Sequence, residues 1–544
     1  MGRVDFEAKG HDPEQFVEET GDRSIAQGHG ELERGLKSRH VQFLALGGAI
    51  GTGLFIGSGV ILADTGPAPL FMGYVSMMIV VWCVMNILAE IVVYLPMKGI
   101  TVPYFVERFV DPGLAFASAW NYWYAYAMLV AAEAAAAAII IDYWEPPASI
   151  GVWIAIVLVV MLLLNIVAVS FFGEAEFWFA SLKLITILGL IILGIVLFFG
   201  GGPTHDPLYF EYWNNPGAFN EYRVSGSTGR FLAYWHAFCA AGFAFITSPE
   251  LIAIAAGEAV APRRNIPKAA RRFTWRLALF YGMGTLVIGI TVPYDAEQLS
   301  QGPANAKTSP FVIGIERAGI QNLSSVINAA ILTSAWSAGN SFLYSGSRIL
   351  YTMALNGQAP KVFSITSKNG VPYCAVLFTW MFGLLAFLKL DTGGTGDKVF
   401  VWFMNISTIS GYIAWIVVMI TYLRFRKAII ASGLYESLPF KAPLQPYATW
   451  FILLIVSLIT LTNGFQIFWP KHFNASDFLA AYITIPIFLA FYVGHKLWSR
   501  SVHFAHKVDD IDVISGKAEM DLLEASEVPR VPRNWLEKTW YYVA

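Results

Sequence analysis

Charge is scarce in this chain. Only 14% of its 544 residues are Asp, Glu, Lys or Arg, where a soluble globular domain has about 25%. The charge that exists is gathered into islands, and stretches such as 150–173 and 184–204 carry none. A net charge of −2 with no basic tail and no aromatic-interleaved basic patch leads us to expect no nucleic-acid partner. Cysteine is nearly absent too. Cys83, Cys239 and Cys374 are too few and too scattered for a disulfide framework or a zinc site, and they read as small buried hydrophobes. Only His236 and His495 fall in apolar stretches and no HExxH occurs, so a metal centre lacks ligands. The GSG at 57–59 and the YSGSR at 344–348 do not fit a serine-hydrolase elbow. No enzyme, metal or cofactor is expected. The first 40 residues are polar, so no cleavable signal peptide is expected either.

Long apolar runs are what the chain does have. Hydrophobic residues make up 56% of it and mean hydropathy is +0.55. Runs of ~20 apolar residues are membrane-span candidates. Gly, Pro and charge divide them into twelve spans at 41–63, 68–95, 113–141, 150–170, 178–199, 231–256, 273–293, 322–356, 375–390, 397–423, 447–468 and 477–498. Lys and Arg mark cytoplasmic loops. Arg34, Lys37 and Arg39 precede the first span, six basic residues fill 257–276, and Arg424, Arg426, Lys427 and Lys441 lie in 424–446. By contrast, 64–67 and 142–149 hold no Lys or Arg. Both termini are therefore expected in the cytoplasm, flanking an all-α polytopic bundle in the lipid bilayer.

Two spans are interrupted. The first carries GGAIGTGLFIGSG at 47–59, although each glycine costs about 1 kcal/mol against alanine inside a helix. The sixth reads AAGFAFITSPELIAIAAGE at 240–258, with Pro249 removing a helical hydrogen bond and Thr247 and Ser248 able to re-satisfy the backbone. Gly47/Gly51 and Gly53/Gly57 also have the spacing of a helix-packing face. No strand or Lys-Ser/Thr accompanies the glycines, which argues against a nucleotide loop. Breaks in matching spans, five apart, point to inverted five-span repeats with a substrate site between them. The expected organisation is a tail at 1–40, a first repeat at 41–199, an extracellular loop at 200–230 and a second repeat at 231–423. A cytoplasmic loop at 424–446, two extra spans at 447–498 and a tail at 499–544 complete it.

These residues carry a resemblance. GAIGTGLFIGSG with GPAPL after it, GEAEFWFASLKLITILGLIILG at 173–194, GGGP at 200–203, PRRNIPKAARR at 262–272, SPFVIGIERAGI at 309–320 and YLRFRKA at 422–428 resemble the yeast amino acid transporter family. That family belongs to the amino acid–polyamine–organocation superfamily. KGITVPYFVERFV at 98–110, NYWYAYAMLVAAE at 121–133, ILTSAWSAGNSFLYSGSR at 331–348 and NGQAPK at 356–361 look most like the fungal proline permeases. The resemblance implies a proton-coupled importer with the leucine-transporter-type fold. It implies a plasma-membrane location and L-proline or related small neutral amino acids as substrate. A broad-range neutral permease and a non-transporting nutrient receptor remain as alternatives; Ala240 and Ala241 stand where some members carry a basic residue.

An amino acid at the bilayer midplane brings a carboxylate and an ammonium, neither of which is stable there unpaired. Backbone N–H groups of Gly51, Thr52 and Gly53, at the positive end of the second half-helix, are assigned to the carboxylate, with the Thr52 hydroxyl as a further donor. Carbonyls around Gly48–Ala49 and Phe245, Ile246 and Thr247 are assigned to the ammonium. The family likeness adds Phe243, Phe245 and Trp336 as apolar walls. Proton coupling needs a buried titratable group. Glu133, alone in MLVAAEAAAAAII, is the first candidate, and Lys183 in FASLKLITILG the second, since a lysine there takes a sodium ion's place in related proton-coupled members. Snorkelling to the interface is the rival for Lys183. His236 reads as structural and Arg348 as an interfacial anchor.

Overall fold

The computed structural model describes residues 51–95, 101–167, 169–203, 205–247, 249–250, 262–300, 309–320, 322–367, 370–390, 398–470, 472–501 and 503–517, with positions 521 and 535. The described residues are helical with no strand. Fifteen helices concern us: α1 (Gly53–Thr65), α2 (Pro67–Tyr94), α3 (Val102–Phe109), α4 (Pro112–Asp142), α5 (Ile150–Val167), α6 (Val169–Phe198) and α7 (Gly226–Ala241) form the first part. The rest are α8 (Pro262–Leu277), α9 (Met283–Thr291), α10 (Pro310–Arg317), α11 (Leu323–Leu355), α12 (Tyr373–Gly383), α13 (Val399–Ala431), α14 (Tyr447–Thr462) and the pair α15 (Ala475–Ser499). A π-turn, Ala278–Gly282, joins α8 to α9, and α15 bends by 49° after Tyr482.

Among the described residues, six stretches are long and apolar enough to cross a bilayer, and bent α15 makes a seventh. α1, α5 and α14 are shorter apolar helices. The difference from the twelve sequence-derived spans has physical causes. The sixth span loses its helix at its break, and 251–261 lie outside the described residues. α11 matches the expected 322–356 closely, yet it is rich in Ser, Asn and Gly and so falls outside the six. A helix surrounded by protein does not need an apolar circumference. α13 continues to Ala431 rather than stopping at 423, because Arg424, Arg426 and Lys427 are good helix formers although hydropathy rejects them.

α4 is the centre of the molecule. Its run Ala134–Ala138 has no exposed surface, and small side chains let α11 approach closely. Asn328 of α11 donates to the Ile140 carbonyl at 2.9 Å. The start of α4 is fixed by Asp111, whose carboxylate accepts from Leu114 N–H at 3.0 Å and pairs with Lys496 of α15. Between α1 and α2, Gly66 has φ 89°, and a Cβ there would lie 2.7 Å from Asn220 N. That amide donates to the Thr65 carbonyl at 2.9 Å, so the 200–230 segment is stapled to this corner.

The C-terminal segment is not a free tail throughout. Residues 503–517 fold back beneath α2, α3 and α13, burying Ile511 and Val513. Tyr94 Oη donates to the Val513 carbonyl at 2.7 Å, and Arg108 Nε to the Asp512 carbonyl at 2.8 Å. The His506 amide donates to the Val110 carbonyl at 2.8 Å, and Arg424 donates to the His506 carbonyl.

Candidate functional site

The two interrupted stretches meet. α1 opens as a π-turn at Gly53–Gly57 before becoming regular at Ser58. α7 ends at Ala241, tightens into a 3-10 turn at Gly242–Ala244 and loses helical form at Phe245. A Cβ on Gly53 would lie 2.7 Å from Ala244 Cα, so here the chains touch backbone to backbone. Helix breaks free backbone groups that apolar surroundings cannot satisfy. Two tyrosines answer that need: Tyr74 Oη donates to the Gly53 carbonyl at 2.9 Å and Tyr281 Oη to the Ala244 carbonyl at 3.0 Å.

Thr52 is the N-cap of α1, but its side chain does not cap the helix. Its hydroxyl donates instead to Glu133 Oε1 of α4 at 2.9 Å. The hydroxyl's one hydrogen is thus committed to Glu133 rather than held for a substrate. Leu54 N–H donates back to the Gly51 carbonyl at 3.3 Å, and no side chain caps the start of α1, which lies beside Glu133. A Cβ on Gly51 would sit 3.5 Å from Glu133 Oε1 and 3.8 Å from Ala338 Cβ of α11. Gly51, Thr52, Glu133 and α11 therefore converge, while Ala49 lies outside the described residues.

Lys183 does not snorkel. It is 1% exposed, on the same buried face of α6 as Glu176. The pattern of α6 explains this: Trp178, Ile185 and Ile192, seven apart, are the exposed stripe. Glu176, Lys183 and Leu190, also seven apart, are the buried one. Glu176 Oε2 accepts from Ser337 Oγ of α11 at 2.7 Å. Sequence reading passed over Glu176, although its position one heptad before Lys183 places both on one helical face.

The aromatic positions separate. Phe243 meets Phe400 of α13 with ring centroids 6.0 Å apart. Phe245 is fully buried between Tyr74 and Tyr281, at 5.8 and 4.4 Å. Trp336 stacks edge-on with Phe179 of α6 at 5.1 Å, beside Ser337 and its bond to Glu176. Ile246 and Thr247 line a narrow cleft with Glu250, whose other wall is Tyr122, Tyr126 and Ser410. Tyr122 Oη donates to Glu250 Oε1 at 3.4 Å.

Other charged positions have local work. Glu90 accepts from Tyr422 Oη at 2.9 Å and from the Ala442 amide at 2.7 Å, tying α2 to the segment after α13. His236 lies 3.4 Å from Asp64 and stacks on Tyr222. Arg348 donates to the Tyr344 carbonyl at 3.2 Å. The three cysteines are free thiols. Among the described residues no group of three or more His, Cys, Asp or Glu could hold a metal ion.

Comparison with known proteins gives the chain's family. The amino acid permease family profile matches residues 40–506. A proline-specific permease of Emericella nidulans is 55% identical over 519 residues, covering 95% of this chain and 94% of that protein. A probable proline-specific permease of Schizosaccharomyces pombe is 52% identical, covering 91% of this chain and 90% of that protein. A lysine-specific permease of Saccharomyces cerevisiae is 36% identical, covering 94% of this chain and 83% of that protein. In structure, a manganese transporter of Eremococcus coleocola shares the fold at a TM-score of 0.53 and 15% identity, covering 87% of this chain and 96% of that one. With a profile match across most of its length and relatives at this identity, the chain belongs to the amino acid permease family.

Proposed function

We propose that this protein is a secondary transporter importing L-proline, or related small neutral amino acids, across the plasma membrane together with protons. The observation that carries the substrate is the 49–55% identity to three proline-specific permeases. The geometry supplies the chemistry. The substrate carboxylate lies at the uncapped start of α1, against the amides of Gly51, Thr52 and Gly53. Its ammonium is taken by carbonyls of the two breaks, at Ala49 and at Phe245, Ile246 and Thr247. Proline's secondary ammonium has two N–H donors, so two carbonyls suffice. Glu133 stands next to the carboxylate end, bonded to Thr52. Binding a proton there relieves the repulsion between two carboxylates, and this couples proton to substrate.

Twelve spans with both termini cytoplasmic, arranged as repeats at 41–199 and 231–423, complete the reading. Alternating access is then the rocking of one repeat about the contact between Gly53 and Ala244. Uptake of labelled proline by permease-deficient fungal cells expressing the chain tests it. Uptake rises as external pH falls and collapses with a protonophore; indifference to the proton gradient would sink the coupling. A competition panel against that uptake fixes the range, and strong competition by basic or acidic amino acids would overturn the neutral assignment.

A further inference from the structure

The outer face of α8 and of the π-turn after it changes character along its length. Ile266, Ala270, Leu277 and Phe280 are buried, and α8 packs on α2. On the other side Lys268, Arg271, Trp275 and Leu279 are exposed, at the three- and four-residue spacing of one helical face. That face runs from cation through aromatic to aliphatic, and Trp275 is 73% exposed. The stretch Ile266–Thr291 counts 26 residues, about 39 Å at ~1.5 Å each. A hydrocarbon core takes about 30 Å, or about 20 residues. α9 stops at Thr291, where Val292 turns extended, and about 20 residues back from there stands Arg272. Trp275 therefore falls at the membrane–water boundary, where amphipathic rings collect. Arg271 and Lys268 stand about 6 and 10 Å further out, at the depth of lipid headgroups. No Asp or Glu occurs between 262 and 291.

We propose that this face of α8 binds an anionic phospholipid whose headgroup carries a carboxylate beside its phosphate, as phosphatidylserine does. The bilayer placement is the one proposed above, with the start of α8 toward the cytoplasm, the side of the anionic leaflet. The order of the side chains matches the order of groups in the lipid. A phospholipid presents acyl chains, then a phosphodiester, then its headgroup; Leu279, Trp275, Arg271 and Lys268 follow in the same direction. Arg271 offers the planar fork that grips a phosphate through two hydrogen bonds. Lys268 is a compact point charge for the carboxylate. Side chains three residues apart are neighbours on a helix surface, with Cβ atoms about 5–6 Å apart, so one headgroup spans both. A zwitterionic headgroup would bring its own ammonium toward Lys268, which disfavours it. Each basic side chain at such a surface strengthens the attraction for anionic lipid about five-fold. Positive charge in a loop sets orientation wherever it stands; the exposed register of 268, 271 and 275 goes beyond that requirement.

The test uses the full chain in phosphatidylcholine vesicles to which either phosphatidylserine or phosphatidylcholine, brominated on its acyl chains, is added. Bromine quenches indole fluorescence at short range, and the signal of Trp275 is the difference between the wild type and Trp275→Phe. The expected result is quenching of that signal at a several-fold lower mole fraction of the brominated serine lipid. Lys268→Gln combined with Arg271→Gln brings the two lipids to parity. Lys441→Gln, which removes a cation already paired with Glu436 at 2.7 Å, leaves the preference standing. Equal quenching by both lipids in the wild type overturns the proposal and makes the contact ordinary solvation by the bilayer. Loss of the preference in Lys441→Gln overturns it as well, since net charge alone would then be responsible. Absence of quenching by either lipid also overturns it, because another protein surface would then cover α8. In the wild type, raised salt weakens the preference by screening exposed charge, and an unchanged preference counts against the proposal even if the double variant does not fold. Added inorganic phosphate leaves the preference intact; competition by the free anion would overturn the lipid assignment. No readout here involves proline, so the transport proposal is tested separately.

Discussion

A methyl group at position 53 and a methyl group at position 51 would meet different surroundings. At 53 it would press on Ala244 Cα at 2.7 Å, a backbone atom with nowhere to go. Gly53→Ala therefore lowers stability by about 1–3 kcal/mol, the ordinary cost of overpacking, seen as a lower melting temperature in detergent. At 51 the nearest atoms, Glu133 Oε1 and Ala338 Cβ, are at ordinary contact distances of 3.5 and 3.8 Å. Gly51→Ala therefore melts like the wild type but binds proline more weakly, and Gly51→Val abolishes uptake; an unchanged apparent affinity would return Gly51 to packing alone. At Thr52 the isosteric change to Val removes the donor to Glu133 Oε1. Its expected signature is an altered external-pH profile of uptake at normal surface delivery. Glu133 and Lys183 were legible in the sequence because an isolated charge in an apolar run has few explanations. Glu176 was less so, since its neighbours in GEAEF include a second carboxylate and the run looks like a helix start.

At the scale of elements, the interruptions in the first and sixth spans were readable because glycine and proline are local signals. Their closure was not. The hydroxyls that satisfy Gly53 and Ala244 come from Tyr74 and Tyr281, and the longer of these separations is 37 residues. No local rule connects a tyrosine in one helix with a carbonyl in another. Likewise α11 was found by its length, but its polar face became meaningful only against the alanine run of α4. The α2–α13 junction offers a direct test. Glu90 holds both Tyr422 Oη and the Ala442 amide, and Glu90→Leu would strand both donors. With bonds to a charged acceptor contributing about 1.5–3 kcal/mol each, a clear drop in melting temperature is expected, with Glu90→Gln retaining most of the stability.

For the whole molecule, the membrane class and the family resemblance followed from composition and motifs, whereas the folded part of the C-terminal segment did not. Polar residues from 499 onward read as a tail, whereas the burial of Ile511 and Val513 and the hydrogen bonds to Tyr94 and Arg108 show 503–517 packed on the bundle. Arg108 reaches the Asp512 and Ser515 carbonyls, both at 2.8 Å, and the Asp512 carboxylate at 3.3 Å. Arg108→Ala should expose 503–517 to protease in the purified protein, and unchanged cleavage kinetics would show that the apolar anchors alone hold it. The Tyr94–Val513 bond spans 419 residues. At about 5–20 residues per second, a ribosome that has made Tyr94 needs roughly 20 to 80 s more to deliver its partner. Until then the surface around Tyr94 and Arg108 stays unsealed on an otherwise inserted chain. A chain that ends before Val513 thus lacks the cover that the finished chain places over Tyr94 and Arg108.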